Sequence, residues 1–237
     1  MSPQIVYEDN NFLVINKPSG LITHQKNAED QQPSVVDWVI QNYPDLKNVG
    51  EPFIASGTET PRAGIVHRLD KETSGLLLIA KNETVFGYMK KQFQNHTIKK
   101  HYYALVFGKP KESSGIINAP LGRIGMKRTT QMTGKKLIDG KESITEYKTT
   151  KNFNKFTLLD VSPKTGRTHQ IRVHLKSINC PVAGDTVYMP KGWQQPKGLS
   201  RLFLHAYKLE FTAPDGKAMT IEADLPEDLQ NLINMLE

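Results

Sequence analysis

Short β-rich runs separated by turn residues constrain the fold of this chain more than any other feature. Residues 5–8 and 12–17 flank an Asp-Asn-Asn turn, which predicts a hairpin near the N-terminus. Residues 202–211 and 218–223 flank an Asp-Gly turn in the same way. Such hairpins, mixed with isolated helices, favour an α+β fold over an alternating βαβ fold.

Four segments carry helix signals. Ser34 opens a sequence that resembles a capping box, and Asn82 can cap a second helix. Residues 168–179 favour a helix capped by Thr168, although a strand is the alternative there. A last helix is predicted to begin near Pro226, because acidic residues follow in its first turn.

Length and composition limit the class of protein. The chain has 237 residues, of which 31 are basic and 24 acidic, giving a formal net charge of +7. We expect one domain spanning residues 1–237. No apolar run approaches the roughly 18 residues of a membrane span, and no signal peptide is recognisable. The single cysteine, Cys180, excludes an internal disulfide, so we expect a cytoplasmic protein without a membrane partner.

Two segments predict loops, and one of them concentrates the positive charge. Residues 45–64 are rich in Gly, Pro and Thr, and residues 65–66 predict a short strand after them. Residues 109–141 contain eight basic and two acidic side chains and predict a long loop or ribbon. A second basic cluster within residues 164–176 carries no acid. Each cluster alone fits a solvated face equally well, but two together favour a phosphate backbone as partner.

Several common chemistries lack their sequence signatures. The chain has no phosphate-binding loop, no dinucleotide-binding glycine fingerprint and no His-Glu-x-x-His pair. Its seven histidines are scattered, so no metal site is predicted. Cys180 precedes Pro181, and nothing in the local sequence would activate it as a nucleophile.

One string is more specific than any composition signal. Residues 64–75 read Gly-Ile-Val-His-Arg-Leu-Asp-Lys-Glu-Thr-Ser-Gly, and this string resembles the signature of RluA-type pseudouridine synthases. Five further segments resemble family motifs: Lys17-Pro18-Ser19-Gly20, residues 100–106, residues 165–175, Gly184-Asp185 and Leu204-His205-Ala206. The resemblance therefore extends along nearly the full chain.

The resemblance implies a fold, a reaction and a partner. The family fold is a mixed, mostly antiparallel central sheet with flanking helices and a basic cleft, which agrees with the α+β prediction. The implied reaction isomerises uridine in ribosomal or transfer RNA to pseudouridine. Because the reaction adds no atoms, no cofactor or metal is expected, and no obligate protein partner is implied. The chain begins directly with Ile5-Val6-Tyr7, so we expect no additional N-terminal RNA-binding module.

The resemblance also implies roles for individual residues. The catalytic residues are Asp70 as the carboxylate, Tyr102 as the ring against the flipped base, and Arg172 as the cation that keeps Asp70 ionised. Tyr102 could also be the base that removes a ribose or ring proton. The substrate-binding residues are Arg68, which fills the gap left by the base, His67, Arg167, Lys17, Ile171 and Leu175. Ile171 and Leu175 are expected to serve mainly in packing, and Lys17 could instead be a solvent-facing lysine at a strand end. The expected RNA-backbone contacts are Lys127, Arg128, Lys135 and Lys136.

Two other functions remain open from the sequence. The first is an RNA-binding relative without activity, although the presence of Asp70, Tyr102 and Arg172 disfavours it. The second is a glycosidase-like hydrolase that pairs Asp70 with Glu72 or Asp185. A neutral sugar cleft is difficult to reconcile with the basic segment 109–141.

Overall fold

The computed structural model describes residues 2–25, 31–55, 58–125, 127–130, 137–190 and 192–237. These residues divide into two units. Unit 1 is Met1–Ile98 with Lys208–Ala223, and unit 2 is Lys99–Tyr207 with Asp224–Glu237. The expectation of one domain over residues 1–237 stays a prediction.

Unit 1 is built around three antiparallel strands with two helices. Its elements are β1 (Gln4–Glu8), β2 (Phe12–Lys17), α1 (Val35–Asn42), a 3₁₀ helix (Pro44–Asn48), β3 (Phe53–Ala55), β4 (Thr58–Thr60), β5 (Ser74–Ala80) and α2 (Glu83–Gln94). The ladder has the order β1-β2-β5, with Phe12 opposite Ala80 and Lys17 opposite Gly75. All seven residues of β5 are buried, which explains why its sequence is continuously apolar instead of alternating.

Unit 2 contains two separate antiparallel sheets. Its elements are β6 (Lys99–Phe107), β7 (Ser114–Asn118), β8 (Leu121–Ile124), β9 (Lys127–Thr130), β10 (Ile138–Lys141), β11 (Ile144–Asn152), β12 (Phe156–Pro163), α3 (Gln170–Ser177) and α4 (Glu227–Leu236). The larger sheet has the order β6-β12-β11-β7, and the smaller has the order β10-β8-β9. Helix α4 packs Leu229, Leu232 and Ile233 into an apolar cluster that includes Leu105 and Phe107 of β6.

One strand belongs to both units. Strand β13 (Leu204–Thr212) begins in unit 2 and ends in unit 1, where it pairs with β14 (Ala218–Glu222). The hairpin predicted around Asp215-Gly216 is therefore confirmed. Among the described residues, none of the helices has the length and apolar content that a membrane crossing requires.

The predicted helix starts are confirmed in unit 1. The Ser34 hydroxyl accepts a hydrogen bond from the Asp37 amide, and the Asp37 carboxylate accepts one from the Ser34 amide. Asn82 caps α2 by accepting from the Val85 amide at 3.0 Å. Both caps act over three residues, so the local sequence was sufficient to predict them.

Three local predictions were wrong. Residues 45–64 contain the 3₁₀ helix and the β3–β4 hairpin instead of a simple loop, and residues 65–66 form only an isolated bridge from Ile65 to Ile79. Helix α3 is preceded by His169 in a left-handed conformation, with φ of 58°, and not by Thr168 as cap. In place of a cap, the Gln170 side chain accepts from the Arg167 amide at 3.0 Å. The loop or ribbon predicted for residues 109–141 is, in its described part, strand β7 of the larger sheet followed by the three-stranded sheet β10-β8-β9.

Gly64 illustrates a close backbone approach that fixes the start of the loop before β5. Its φ is +73°, and a Cβ at this position would lie 2.0 Å from the carbonyl oxygen of Ala80. The Ala80 amide also donates to the Gly64 carbonyl at 2.8 Å, so the two segments cannot separate without breaking this bond. Only glycine satisfies both conditions.

We therefore expect Gly64→Ala to lower the free energy of unfolding by about 2–5 kcal/mol, combining left-handed strain with a steric clash. Gly216→Ala is the matched control, since Gly216 has φ of +85° and no atom within 4 Å of the added Cβ. The control should cost only about 1–2 kcal/mol. Equal reductions in urea denaturation would show that the close approach to Ala80 does not matter.

Candidate active site

The loop that carries Asp70 runs from Gly64 to the start of β5 in unit 1. Asp70 is half-buried, and its carbonyl accepts a hydrogen bond from the Thr73 amide at 3.1 Å, which closes a tight turn after the carboxylate. Ile65 forms an isolated bridge with Ile79, so the loop begins against the same strand that it later enters. The loop therefore holds Asp70 between two points of attachment to β5.

The peptide groups on either side of Asp70 are fixed by side chains and backbone from residues 17–23. The Thr23 hydroxyl donates to the Leu69 carbonyl at 2.9 Å and accepts from the Leu69 amide at 3.3 Å. On the other side, the Lys71 carbonyl accepts from the Gly20 amide at 2.8 Å and from Lys17 Nζ at 3.2 Å. Thr23 and the 17–20 motif thus determine the backbone position of Asp70 from both directions.

Lys17 is completely buried, at 0% exposure, so the alternative of a solvent-facing lysine was wrong. Its Nζ donates to three backbone carbonyl oxygens, those of Pro18 at 2.9 Å, Leu21 at 2.7 Å and Lys71. An ammonium group has three donors and needs such acceptors when it is removed from water. This geometry describes a residue that positions the Asp70 loop.

The two residues before Leu69 have different surroundings. His67 is half-buried, its Nε2 accepts from the Leu78 amide at 2.9 Å, and its ring stacks on Phe93 with 4.5 Å between centroids. These contacts attach the loop to β5 and α2. Arg68 is exposed, as a residue that enters a nucleic acid would need to be.

Tyr102 lies on β6 in unit 2 and is 8% exposed. Its neighbour Tyr103 stacks on Tyr207, with 3.9 Å between ring centroids and 11° between planes, and packs against the cluster beneath α4. Because side chains alternate along a strand, Tyr102 faces the opposite side of the sheet from Tyr103.

Arg172 lies in α3 with an exposure of only 2%. Its Nε and Nη2 donate to the two carboxylate oxygens of Asp185 at 2.7 and 2.8 Å, and its guanidinium lies 5.2 Å from the centroid of the Tyr188 ring. A solvated arginine on a helix surface is therefore ruled out. The role of Arg172 as counter-charge to Asp70 stays a prediction.

Asp185 is a site residue whose function the sequence did not reveal. Besides Arg172, it accepts hydrogen bonds from the amides of Val187 and Tyr188, each at 2.9 Å. Burial opposes ionisation, but the hydrogen bonds and charge of Arg172, together with the two amides, more than offset it and lower the pKa of Asp185. Because both oxygens of this carboxylate are engaged by Arg172 and two amides, the geometry disfavours Asp185 as the general acid that a hydrolase would pair with Asp70.

The buried side-chain amide of Gln170 fixes the loop before α3 through hydrogen bonds. Gln170 Oε1 accepts from the Thr165 hydroxyl at 2.7 Å and from the Arg167 amide at 3.0 Å. Its Nε2 donates to the Ile144 carbonyl at 2.9 Å and to the Thr145 hydroxyl oxygen at 3.0 Å. Gln170 therefore connects the Arg167 loop to β11.

His174 continues this network on the next turn of α3. The ring is fully buried, and burial lowers its pKa. The Ala119 carbonyl can only accept, so His174 Nε2 carries the proton of their 2.9 Å hydrogen bond. Nδ1 of the neutral ring then accepts from the Thr145 hydroxyl at 2.8 Å. Thr145 thus links His174 to Gln170.

The remaining predicted residues are distributed between core and surface. Ile171 and Leu175 are buried in α3, as expected for packing residues. Arg128 and Arg167 line the same concave surface in unit 2. Lys127 begins β9, but its side chain lies outside the described part of the chain, as do Lys135 and Lys136 entirely.

The burial of Arg172 gives a stability prediction. Asp185→Asn leaves the guanidinium buried beside a neutral group, so we expect a decrease of about 3 kcal/mol or more in the free energy of unfolding. Asp228→Asn is the matched control, because Asp228 makes a similar two-atom contact with Arg201 but is 52% exposed. The control should cost at most about 1 kcal/mol.

The ion pair between Arg172 and Asp185 also makes the free energy of unfolding depend on pH. The folded-state pKa of Asp185 lies below its ordinary value of 3.8, so the stabilisation is complete above that value and is lost as pH falls through the folded-state pKa. Acid denaturation of the wild type and of Asp185→Asn should therefore converge below about pH 3.8. Parallel curves with a constant difference at all pH values would contradict this assignment.

Comparisons with known proteins agree with the sequence motifs. Residues 11–177 match the family described as RNA pseudouridylate synthase. The ribosomal large subunit pseudouridine synthase D of Nitrosomonas europaea is 39% identical over an alignment that covers 98% of this chain and 65% of the relative. An uncharacterized RNA pseudouridine synthase of Bacillus subtilis is 38% identical, covering 100% of this chain and 73% of the relative.

Solved structures show the same fold at lower identity. Human RNA pseudouridylate synthase domain containing 4 has a TM-score of 0.75 at 24% identity, covering 98% of this chain and 92% of that one. Human RNA pseudouridylate synthase domain containing 1 has a TM-score of 0.72 at 23% identity, covering 99% and 94%. The α+β fold class is thereby confirmed. From the family match and the relatives together, the chain belongs to the RluA-type family of RNA pseudouridylate synthases.

Proposed function

We propose that this protein is an RNA pseudouridine synthase that isomerises uridines in ribosomal RNA, with transfer RNA as the alternative substrate. The observation that carries the proposal is the fixed position of Asp70, whose neighbouring peptide groups are bonded by Thr23, Gly20 and Lys17. Two relatives whose names specify the ribosomal large subunit, from Nitrosomonas europaea and Neisseria meningitidis, favour ribosomal RNA. Action in the cytoplasm stays a prediction.

The reaction requires little beyond a well-placed carboxylate. The bond between ribose and the uracil nitrogen is broken, and a carbon–carbon bond to the same ring is made. In the proposed mechanism the Asp70 carboxylate attacks or stabilises a sugar or base intermediate, as carboxylates do in retaining glycosidases. Atoms balance within the substrate, because the ring carbon that forms the new bond loses a proton and the ring nitrogen released from the ribose gains one. The chain's own side chains can therefore supply the chemistry.

The target uridine must leave its stacked position before Asp70 can reach it. Arg68 is proposed to occupy the vacated space, since it is exposed and follows the anchored His67. Tyr102 is proposed to lie against the extruded base. Unstacking costs a few kcal/mol, and these two interactions would offset part of it.

The buried pair refines the role proposed for Arg172. Nε and Nη2 of its guanidinium are both held by the Asp185 carboxylate, so the orientation of the group is fixed. Arg172 remains proposed as the cation that keeps Asp70 ionised, and its own position would be set by Asp185. Asp185 is thus proposed as a positioning residue for Arg172.

Asp70→Asn preserves shape but removes the negative charge and most of the nucleophilicity. We expect single-turnover pseudouridine formation to fall by roughly three orders of magnitude or more, with RNA affinity within a few fold of wild type. Chemical labelling of pseudouridine in the product RNA measures the rate. Glu72→Gln is the control: it alters an exposed carboxylate of the same loop and should react normally. Retained activity in Asp70→Asn would remove Asp70 from the centre of the mechanism, whereas strong decreases in both variants would favour a chemistry that uses two carboxylates.

Thr23→Val removes both hydrogen bonds to Leu69 while preserving side-chain shape. We expect kcat to fall about tenfold or more, because small displacements of a catalytic group are costly, with KM nearly unchanged. Thr23→Ser restores the hydroxyl and should recover most of the rate. If valine lowers thermal stability but leaves kcat intact, Thr23 is structural only.

A further inference from the structure

A basic concave surface lies in unit 2 between the β10-β8-β9 sheet and the loop before α3. Its volume is about 510 Å³. Among the described residues, its lining includes four cationic side chains, Arg123, Arg128, Lys141 and Arg167, and a single carboxylate, Asp139. We refer to this surface as the arginine pocket. Its excess of positive charge is concentrated on strands and one loop that fold against each other.

The arrangement of the arginines is unfavourable for the protein alone. Arg123 of β8 is directly opposite Arg128 of β9 in the antiparallel register. Like charges in directly opposed positions of a ladder destabilise the strand pair. A nearby anion would remove this repulsion, and a polyanion offers several at regular spacing.

Arg167 is held in place before any ligand arrives. Its amide donates to the buried Gln170 side chain at 3.0 Å, and its Nε donates to the Glu142 carbonyl at 3.3 Å, just after β10. These bonds leave the terminal guanidinium donors for other partners. A guanidinium fixed at its backbone and its Nε loses little freedom on binding an anion.

Gly166, which precedes Arg167, leaves space for a ligand to approach the backbone. Gly166 also lines the arginine pocket, and an added Cβ there would meet no atom within 4 Å. Among the described residues that line the pocket, none is aromatic, so no ring is present on which a base could stack. The pocket therefore has the chemistry for phosphate groups and lacks a platform for bases.

We propose that the arginine pocket binds phosphodiester groups of the substrate RNA backbone, independently of sequence. The proposal rests on the proposed function for the identity of the polyanion. Arginine forks match phosphate oxygens in two-point contacts, which lysine alone cannot do. The pocket would set the position of the RNA, while base selection belongs to other residues.

The test is the double variant Arg123→Gln with Arg128→Gln, because the proposal predicts that it weakens RNA binding but raises the melting temperature. Removing the opposed charges should raise the melting temperature by about 1–4 °C. The same change should weaken binding of a mixed-sequence stem–loop RNA of about 20 nucleotides by about tenfold or more near 0.1 M salt. The slope of log affinity against log salt should also become shallower, by roughly 0.7–0.9 for each phosphate that the variant no longer neutralises.

Lys155→Gln with Lys197→Gln is the matched control, since both lysines are exposed residues of unit 2 outside the pocket. It removes the same formal charge and should change affinity less than twofold. The single variant Lys141→Gln should weaken binding about threefold and serves if the double variant fails to fold. Fluorescence anisotropy and thermal denaturation are measured for the wild type and all three variants.

Unchanged affinity and salt slope in the double variant, or an equal decrease in the control pair, would overturn the proposal. A lower melting temperature together with weaker binding would assign the arginines a structural role instead. Pseudouridine formation by the wild type is measured separately on candidate ribosomal and transfer RNAs. If the pocket variants bind RNA weakly while the wild type forms no pseudouridine, the proposed function fails and the RNA-binding pocket remains.

Discussion

The buried guanidinium of Arg172 is the group that most constrains the arrangement of unit 2. A positive charge removed from water is tolerated only when an acceptor of matching geometry accompanies it. Asp185 provides two carboxylate oxygens for Arg172, and two backbone amides hold the carboxylate in turn. The segment 185–188 and helix α3 are thereby linked through one ion pair. The Tyr188 ring lies over the same guanidinium and completes its enclosure.

Unit 1 also contains a buried positive charge, the ammonium of Lys17, and it stabilises that charge differently. Lys17 is buried against carbonyl oxygens of the backbone, so the ammonium is satisfied by segments that must bend toward it. A planar guanidinium suits a carboxylate, whereas a compact ammonium can be surrounded by single oxygens from different directions. Each solution determines the shape of a neighbouring loop. In unit 1 that loop carries Asp70.

The sequence predicted those features that depend on neighbours in the chain. The caps at Ser34 and Asn82 act over three residues, and the 64–75 string identified the loop of Asp70. Contacts between distant segments were not accessible in this way. The pairing of Arg172 with Asp185 spans 13 residues, and the Thr23 bond to Leu69 spans 46. Burial of Lys17 likewise depends on tertiary structure, because hydropathy alone places lysine in solvent.

The division of the chain between the units has a consequence for its synthesis. Unit 1 consists of Met1–Ile98 and Lys208–Ala223, while unit 2 ends with Asp224–Glu237. Strand β14, which pairs with the last part of β13, is therefore made long after the Asp70 loop. A ribosome releases nearly the whole chain before either unit possesses all of its strands and helices. The β1-β2-β5 strands and the Asp70 loop are thus synthesised before the strand that completes unit 1.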